Sequence, residues 1–548
     1  MSKQCIAVFG TVSIQRYIFQ SNRLKENIGS SYLAKHWFDC GLIDSIKQTN
    51  TSIETAIWNA YTKYPPIPAP KPPIDTAKDV NVIYIGGGNA ALLCKSRKVA
   101  NKVVSAWSRN VLEKVPGLRA AVGYAEVTDS FQSAYRAALE NLNLCEEALP
   151  FGAALGSLPV VRTCSATGLP ASVFSREDND VNEWISQSAA SKRAQVGTRN
   201  NPGDAQNAIT DEFKSVLKDE QRFAIELDQL GGSEGQSHIA VVHADGNGMG
   251  KHLNEVINTC QNNDEFLNNL RGFSASVSRL SQSALEKTLQ YFQDALPKLE
   301  ELHLSKNIFP LRPIVYGGDD LTFVCDGRVG LHLAAYYLQK FAEGKVKVCG
   351  EDKPVDACAG VAIVPTKFPF AQAYHFADTL CGLAKSHRRS QGNNANGSWL
   401  DFQIFQEGVT QSITDLRKSQ YRSLEGQKLH QRPYQISGSW NTFIAILQKF
   451  QTQGWPRSRA KGLLHALTQG ATATKRFVKG AQWRNVVLPD VSGIDDGNAK
   501  TRGWTGGSSP NQTTPYFDPL EALDFYLEGL LPKASGTEDS DNEKRNKE

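Results

Sequence analysis

The apolar and polar positions along the chain lay out one order of elements twice. A strand (Cys5 to Gly10), a helical stretch including Tyr32 to Phe38, a hairpin around Ile85-Gly86-Gly87-Gly88-Asn89, a helix near Ala100 to Val115 and a strand, Arg119 to Glu126, follow one another. That order is βαββαβ, a ferredoxin-like unit. It returns with strand Ile239 to Val242, a long helix from about Ser274 to Leu302 and a hairpin about Gly317-Gly318. Helix Gly330 to Glu343, strand Asp356 to Val364 and helix Ala371 to Ser386 complete the second copy. A Pro-rich loop, Pro65 to Pro73, interrupts the first copy, and the less periodic segment from Ser130 to Gln236, with glycine-rich stretches such as Gly197 to Asp204, separates the two. After Gly408 the pattern is helical, as in Trp440 to Gln451 and Arg457 to Leu467. The fold class expected is α+β: a ferredoxin-like unit at 1–129, a linking domain at 130–236, a second ferredoxin-like unit at 237–408 and a C-terminal helical domain at 409–533. Residues 534–548 are charged and lack large apolar side chains, which predicts a disordered tail.

Composition narrows the class. A chain of 548 residues is too long for one core. Its hydrophobic fraction of 40% and charged fraction of 21% are those of a soluble globular protein. A formal charge of +4 gives no strong global field for nucleic acid or membrane, which leaves room only for a local basic groove. The ten cysteines are scattered without close pairs, as suits a reducing cytoplasm. No signal peptide opens the chain, and no apolar stretch approaches the about 18 residues of a membrane span, so a cytoplasmic protein without membrane contact is expected.

The chemistry gathers at the second hairpin, PIVYGGDDLTFVC, where Asp319 and Asp320 follow Gly317 and Gly318. The glycine pair lets the backbone turn sharply and leaves room for a ligand. Adjacent like charges raise each other's cost of ionisation unless a cation or proton neutralises them. Asp and Gly are also ordinary turn residues, so the hairpin alone leaves both readings open. A second segment adds a carboxylate: in HIAVVHADGNGMGKHL a buried strand runs into Asp245, then a turn with Gly246, Gly248 and Gly250, then a helix. Such a turn presents N–H groups and a helix N-terminus to an anion such as a triphosphate. Magnesium takes hard oxygen ligands and keeps phosphates and waters in its other positions, which suits Asp245, Asp319 and Asp320 together.

With these motifs in order, the chain resembles the large polymerase/cyclase-like subunit of CRISPR type III effector complexes. The resemblance rests on IQRYIFQSNRLKENIGSSYL, YIGGGNAALL, CSATGLPA, DGNGMGK, YGGDDL and ADTLCGLAKSHRR. It implies two palm domains facing one another with ATP between them, the second joining ATP through 3′–5′ bonds into cyclic oligoadenylate, an antiviral second messenger. Two magnesium or manganese ions would be held by Asp245, Asp319, Asp320 and the Gly246 carbonyl. Lys385 would reach the triphosphate, with Lys251 a weaker candidate. Ser30 and Ser31 would face a nucleotide in the first palm or serve as helix caps, and Gly86, Gly87 and Gly88 would shape a second, metal-free nucleotide pocket. The partners implied are a guide-RNA effector complex with small helical subunits, and target RNA.

The chain also departs from the family. It starts almost at the first palm strand and has no His-Asp dipeptide, so DNA cleavage by an HD nuclease domain is not expected. Asn247 stands where an acid is common, and only Cys145 and Cys164 remain of paired zinc ligands, so zinc is not expected. His243 is expected to face away from Asp245 on a regular strand, as a core histidine. Two other readings remain: another nucleotide cyclase on the same palm, making a cyclic mono- or dinucleotide, or a scaffold that docks a guide-RNA complex. The GGDEF-type cyclases are the nearest such case, but Leu321 follows Asp320 where they have Glu-Phe.

Overall fold

The computed structural model describes residues 3–54, 77–149, 160–176, 182–198, 201–230, 237–302, 307–392, 396–406, 411–452, 455–489, 499–506 and 511–530. The Pro-rich loop and the charged tail lie outside the described residues.

The first palm begins with β1 (Cys5–Thr11), α1 (Ile14–Phe19), α2 (Leu24–Asp39) and α3 (Gly41–Gln48). Strands β2 (Ile53–Glu54), β3 (Val80–Gly86) and β4 (Asn89–Cys94), helix α4 (Arg97–Lys114), β5 (Ala120–Glu126) and α5 (Phe131–Ala148) follow. Its sheet has the order β2-β3-β4-β1-β5. Strand β1 is a continuous apolar run, not an alternating one, because both faces are covered: Ile6 and Val8 pack with α5, and Ala7 and Phe9 with α2 and α4. The linking segment holds β6 (Val173–Arg176), β7 (Asn182–Ile185), α6 (Gln187–Val196), α7 (Asp204–Glu212) and β8 (Arg222–Phe223).

The second palm comprises β9 (His238–Gly246), α8 (Met249–Thr259), α9 (Asn263–Ala295), β10 (Ile308–Phe309), β11 (Leu311–Val315) and β12 (Asp320–Asp326). It continues with α10 (Gly330–Ala342), β13 (Lys345–Val348), β14 (Glu351–Pro354), β15 (Ala357–Pro365), α11 (Phe370–Ser390) and β16 (Trp399–Ile404). The C-terminal part contains α12 (Ile413–Gln420), β17 (Tyr434–Gln435), α13 (Ser439–Thr452), α14 (Arg457–Gln469), α15 (Ala471–Gln482), α16 (Ala499–Arg502) and α17 (Phe517–Glu521). The second sheet runs β11-β12-β9-β15-β16-β17, so a strand beyond residue 408 joins it. Helices α13 to α15 share a separate core that includes Trp455, Leu463, Val478 and Trp504.

The two palms repeat each other position by position. In the first, β1 pairs with β4 from Cys5↔Cys94 to Gly10↔Asn89; in the second, β9 pairs with β12 from Ala240↔Cys325 to Asp245↔Asp320. Both hairpins carry a bulge four residues before the turn, at Val82/Tyr84 and Pro313/Val315. The fourth strand carries one glycine in each: a Cβ on Gly123 would lie 2.0 Å from the Ala138 carbonyl of α5, and one on Gly360 would lie 2.0 Å from the Ala377 carbonyl of α11. Only glycine allows those helices to lie so close to the sheet. No helix among the described residues is long and apolar enough to cross a membrane.

Candidate functional site

The acidic turn sits at the meeting point of the palms. Gly317 has a φ of 107°, which favours glycine, and a Cβ on Gly318 would lie 3.7 Å from the Gly87 Cα of the other hairpin. The ladder sets Asp320 directly opposite Asp245. The Gly246 N–H donates to the Asp319 carbonyl at 3.2 Å. A Cβ on Gly246 would stand 3.0 Å from both the Asp319 Cβ and the Met249 methyl, so the glycine admits the turn against the end of β9.

Crowding shows in the acidities. Burial, and after it the Asp245 charge, pushes the Asp319 carboxyl up to about 6 and Asp320 well above the carboxylate range. Among the described residues the cation bonded to the acids is Lys385 of α11, which donates through Nζ to Asp245 Oδ2 and lies 3.4 Å from the Gly246 carbonyl. Burial works against that ammonium, but the Asp245 charge prevails and raises its pKa. Three carboxylates thus share one lysine, and a divalent cation would relieve the remainder. Among the described residues no three His, Cys, Asp or Glu side chains are gathered closely enough to hold a metal by themselves. Asp245, Asp319, Asp320 and the Gly246 carbonyl offer oxygen donors alone, the type magnesium takes alongside phosphates and water.

In the first palm each acidic position is altered. Gly10 and Asn89 occupy the ladder pair that Asp245 and Asp320 form in the second, and Gly88 stands where Asp319 does. A Cβ on Gly10 would lie 2.8 Å from a Glu146 carboxylate oxygen of α5, just as Asp245 meets Lys385 of α11. The flanking helix thus carries an acid in one palm and a base in the other.

Two cavities flank the joined turns. One of about 210 Å³ lies between α2 and the acidic hairpin, lined by Ser31, Lys35, Asp39, Gly86 to Gly88, Gly317 to Asp320 and Tyr374. The other, about 240 Å³, lies between α9 and the acid-free hairpin, lined by Gly86, Gly87, Tyr84, Met249, Gly250, Ser278 and Asp319. Ser31 donates to the Ile314 carbonyl of β11. Ser30 is fully buried and donates to the Glu26 carbonyl at 2.7 Å, so the expectation that it faces a nucleotide is corrected: its hydroxyl is spent within its own helix. Gly248, with φ 77°, opens α8, and Gly250 has open space at its Cβ position; Lys251 is exposed. Asn247 donates to Asp356 Oδ1 at 2.7 Å, and Arg388 holds the other oxygen of that acid at 2.8 Å.

For His243 the expected facing is corrected, while its place in the core holds, at 2% exposure. Residues two apart on a strand share a face, and β9 is regular here, so His243 lies on the Asp245 side under α11, bonded to Thr322 Oγ1 at 3.0 Å and 3.7 Å from Asp378. Burial holds its pKa below the usual value.

One group of residues escaped the sequence reading. Glu212 of α7 accepts from Tyr316 at 3.0 Å and from Gln282 of α9 at 2.6 Å, and lies 3.8 Å from Lys35 of α2. Lys35 is also 4.7 Å from the centre of the Tyr316 ring. The linking segment, both palms and the residue just before Gly317 therefore converge on one carboxylate. Asp39, one turn beyond Lys35, is raised in pKa by burial.

Comparison with known proteins agrees with this geometry. Residues 238–394 match the family described as Cas10/Cmr2, second palm domain. Over that span the chain is Cas10-like. Among solved structures, that of Csm1 in T. onnurineus matches with a TM-score of 0.53 at 12% identity, covering 96% of this chain and 69% of that one. A Csm1-Csm4 cassette in complex with one ATP matches at 0.50 and 13% identity, and one in complex with cA3 at 0.50 and 12% identity, each covering 96% of this chain and 70% of that chain. At such identities the likeness concerns the fold alone. No curated protein matches the sequence.

Proposed function

We propose that this Cas10-like chain is a nucleotidyltransferase that converts ATP into a cyclic oligoadenylate, as the large subunit of a type III effector complex. The observation that carries the reading is the asymmetry of two hairpins that share one register: Asp245, Asp319 and Asp320 in one, Gly10, Gly88 and Asn89 in the other. One palm would bind metal and nucleotide, the other nucleotide alone. Solved relatives of the same fold are cassettes in complex with ATP and with cA3, which agrees with such a substrate and product.

Asp245, Asp319, Asp320 and the Gly246 carbonyl would hold the two ions. Bound there, divalent cations lower the pKa of an attacking 3′-hydroxyl and neutralise charge on the α-phosphate and the departing pyrophosphate. Lys385 would exchange Asp245 for the triphosphate once metal occupies the carboxylates. Gly317 and Gly318 leave space for the nucleotide, Ser31 and Lys35 border it from the first palm, and the turn at Gly246, Gly248 and Gly250 faces its phosphates. The 3′-oxygen of one nucleotide bonds to the α-phosphorus of the next as pyrophosphate leaves, and the same exchange closes the ring. No protein nucleophile takes part.

Labelled ATP is incubated with the purified chain and magnesium or manganese, with and without guide and target RNA, beside Asp319→Ala/Asp320→Ala. A cyclic product from the wild type alone is expected. Its absence under every condition, or an equal yield from the variant, removes the proposal. Running all four nucleoside triphosphates in parallel separates it from the other cyclases.

A further inference from the structure

The C-terminal helices carry a charge pattern that nucleotide chemistry between the palms does not use. From Gly426 to Pro489 there is no Asp or Glu, while ten Lys and Arg occur, in a chain whose formal charge is only +4. Part of that charge is spent inside the fold: Arg432 is buried between Asp518 and Glu521 at 2.9 and 2.7 Å, and Arg457 pairs with Asp524. The rest is not. Lys461 of α14 and Lys475, Arg476, Lys479 and Arg484 on and after α15 are all exposed, and none is in an ion pair with a described residue.

An aromatic ring accompanies them. Helical geometry continues through Trp483, whose N–H donates to the Lys479 carbonyl at 3.4 Å. Lys475, Lys479 and Trp483 therefore stand one turn apart on one face. Trp483 is 81% exposed, among the largest values for an apolar side chain here. The opposite face of α15, Thr474, Val478 and Ala481, is buried in the C-terminal core, so the helix is fixed and its outer face is presented outward. Cations spaced along a surface with an open aromatic face are the combination that holds a single strand: the cations neutralise phosphates and the ring stacks on an unpaired base.

We infer that the outer face of α15 binds a single-stranded nucleic acid through its phosphates and one stacked base. Charge complementarity selects this occupant, since α15 itself carries cations and no acid, and the neighbouring Glu425 is held at its N-terminus by the Ala471 N–H at 3.0 Å. The inference stands apart from the cyclase reading, because none of these residues lines either cavity between the palms.

The test is fluorescence anisotropy of the full chain with a labelled 20-mer of single-stranded RNA, the same sequence as DNA, and a duplex, at several salt concentrations. In Lys475→Ala/Lys479→Ala/Arg484→Ala, affinity for the single strands should fall about 10-fold or more, and the slope of log K against log salt should shrink by about 2, at roughly 0.7 per lost phosphate contact. Trp483→Ala should weaken binding several-fold without changing that slope, and Lys475→Arg/Lys479→Arg should bind as the wild type does. RNA bound better than DNA, or equally, supports the assignment. Single-strand binding by the triple alanine variant within twofold of wild type, or a duplex preferred to single strands, overturns it. All substituted side chains are exposed, so unchanged thermal unfolding is expected throughout.

Discussion

At the scale of single residues, the account turns on Lys385. Among the described residues it is the cation bonded to the acidic group, and under the proposed function it would pass to the triphosphate. Losing one charge-assisted contact of this kind changes binding about 10-fold or more. Lys385→Ala is therefore expected to raise the KM for ATP by about that factor while leaving the melting temperature within a few degrees, measured by steady-state kinetics and thermal unfolding. An unchanged KM would remove Lys385 from the site. The acids were readable because glycine and aspartate in sequence order announce an open, charged turn at the end of an apolar run. Lys35 and Glu212 were not, because each is an ordinary helical residue in its own segment and acquires meaning only when α2, α7 and Tyr316 converge. Ser30 misled for a related reason: two adjacent serines on a helix face different ways, and the sequence does not say which one looks outward.

At the scale of elements, the two glycines under the last helices of the palms offer a controlled comparison. Gly360→Ala would place a Cβ 2.0 Å from the Ala377 carbonyl and push α11, with Lys385, off the sheet; Gly123→Ala would do the same to α5. Each should lose roughly 1–3 kcal/mol or more in urea unfolding. Turnover should fall much further for Gly360→Ala, since only α11 brings a residue to the acids. Equal losses of turnover would mean that Lys385 needs no such placement. A second element-level prediction concerns His332 of α10, held between Tyr526 at 2.5 Å and Tyr291 of α9 at 2.9 Å. Burial lowers its pKa from 6.5 to about 4. Its contribution to stability is complete above pH 6.5, where it is neutral in both states, and is lost as pH falls toward 4, where unfolding takes up a proton that the fold refuses. Thermal unfolding should drop across that range, and less so in His332→Gln. The long helix α9 begins at Asn263, well before Ser274, because Asn262 accepts from the Glu265 N–H at 2.9 Å, and an Asn-x-x-Glu start signal was present in the chain. Strand β17 was not readable, since two residues carry no period.

At the scale of the whole molecule, the palms face each other with reciprocal contacts. Helix α2 of the first reaches β11 of the second through Ser31, and α9 of the second reaches β3 of the first through Arg271, which donates to the Val82 carbonyl at 2.8 Å. The duplication itself could be read from the repeated order of strands and helices, but the facing could not, because no local pattern states which surfaces meet. It matters because it places an acidic turn against an acid-free one, and under the proposed function only the acidic turn would hold metal. Manganese binding by electron paramagnetic resonance, in the presence of a non-hydrolysable ATP analogue, tests that most directly. The account predicts about two ions per wild-type chain and a clear loss of both in Asp319→Asn/Asp320→Asn; tight manganese binding undiminished in that variant would contradict it.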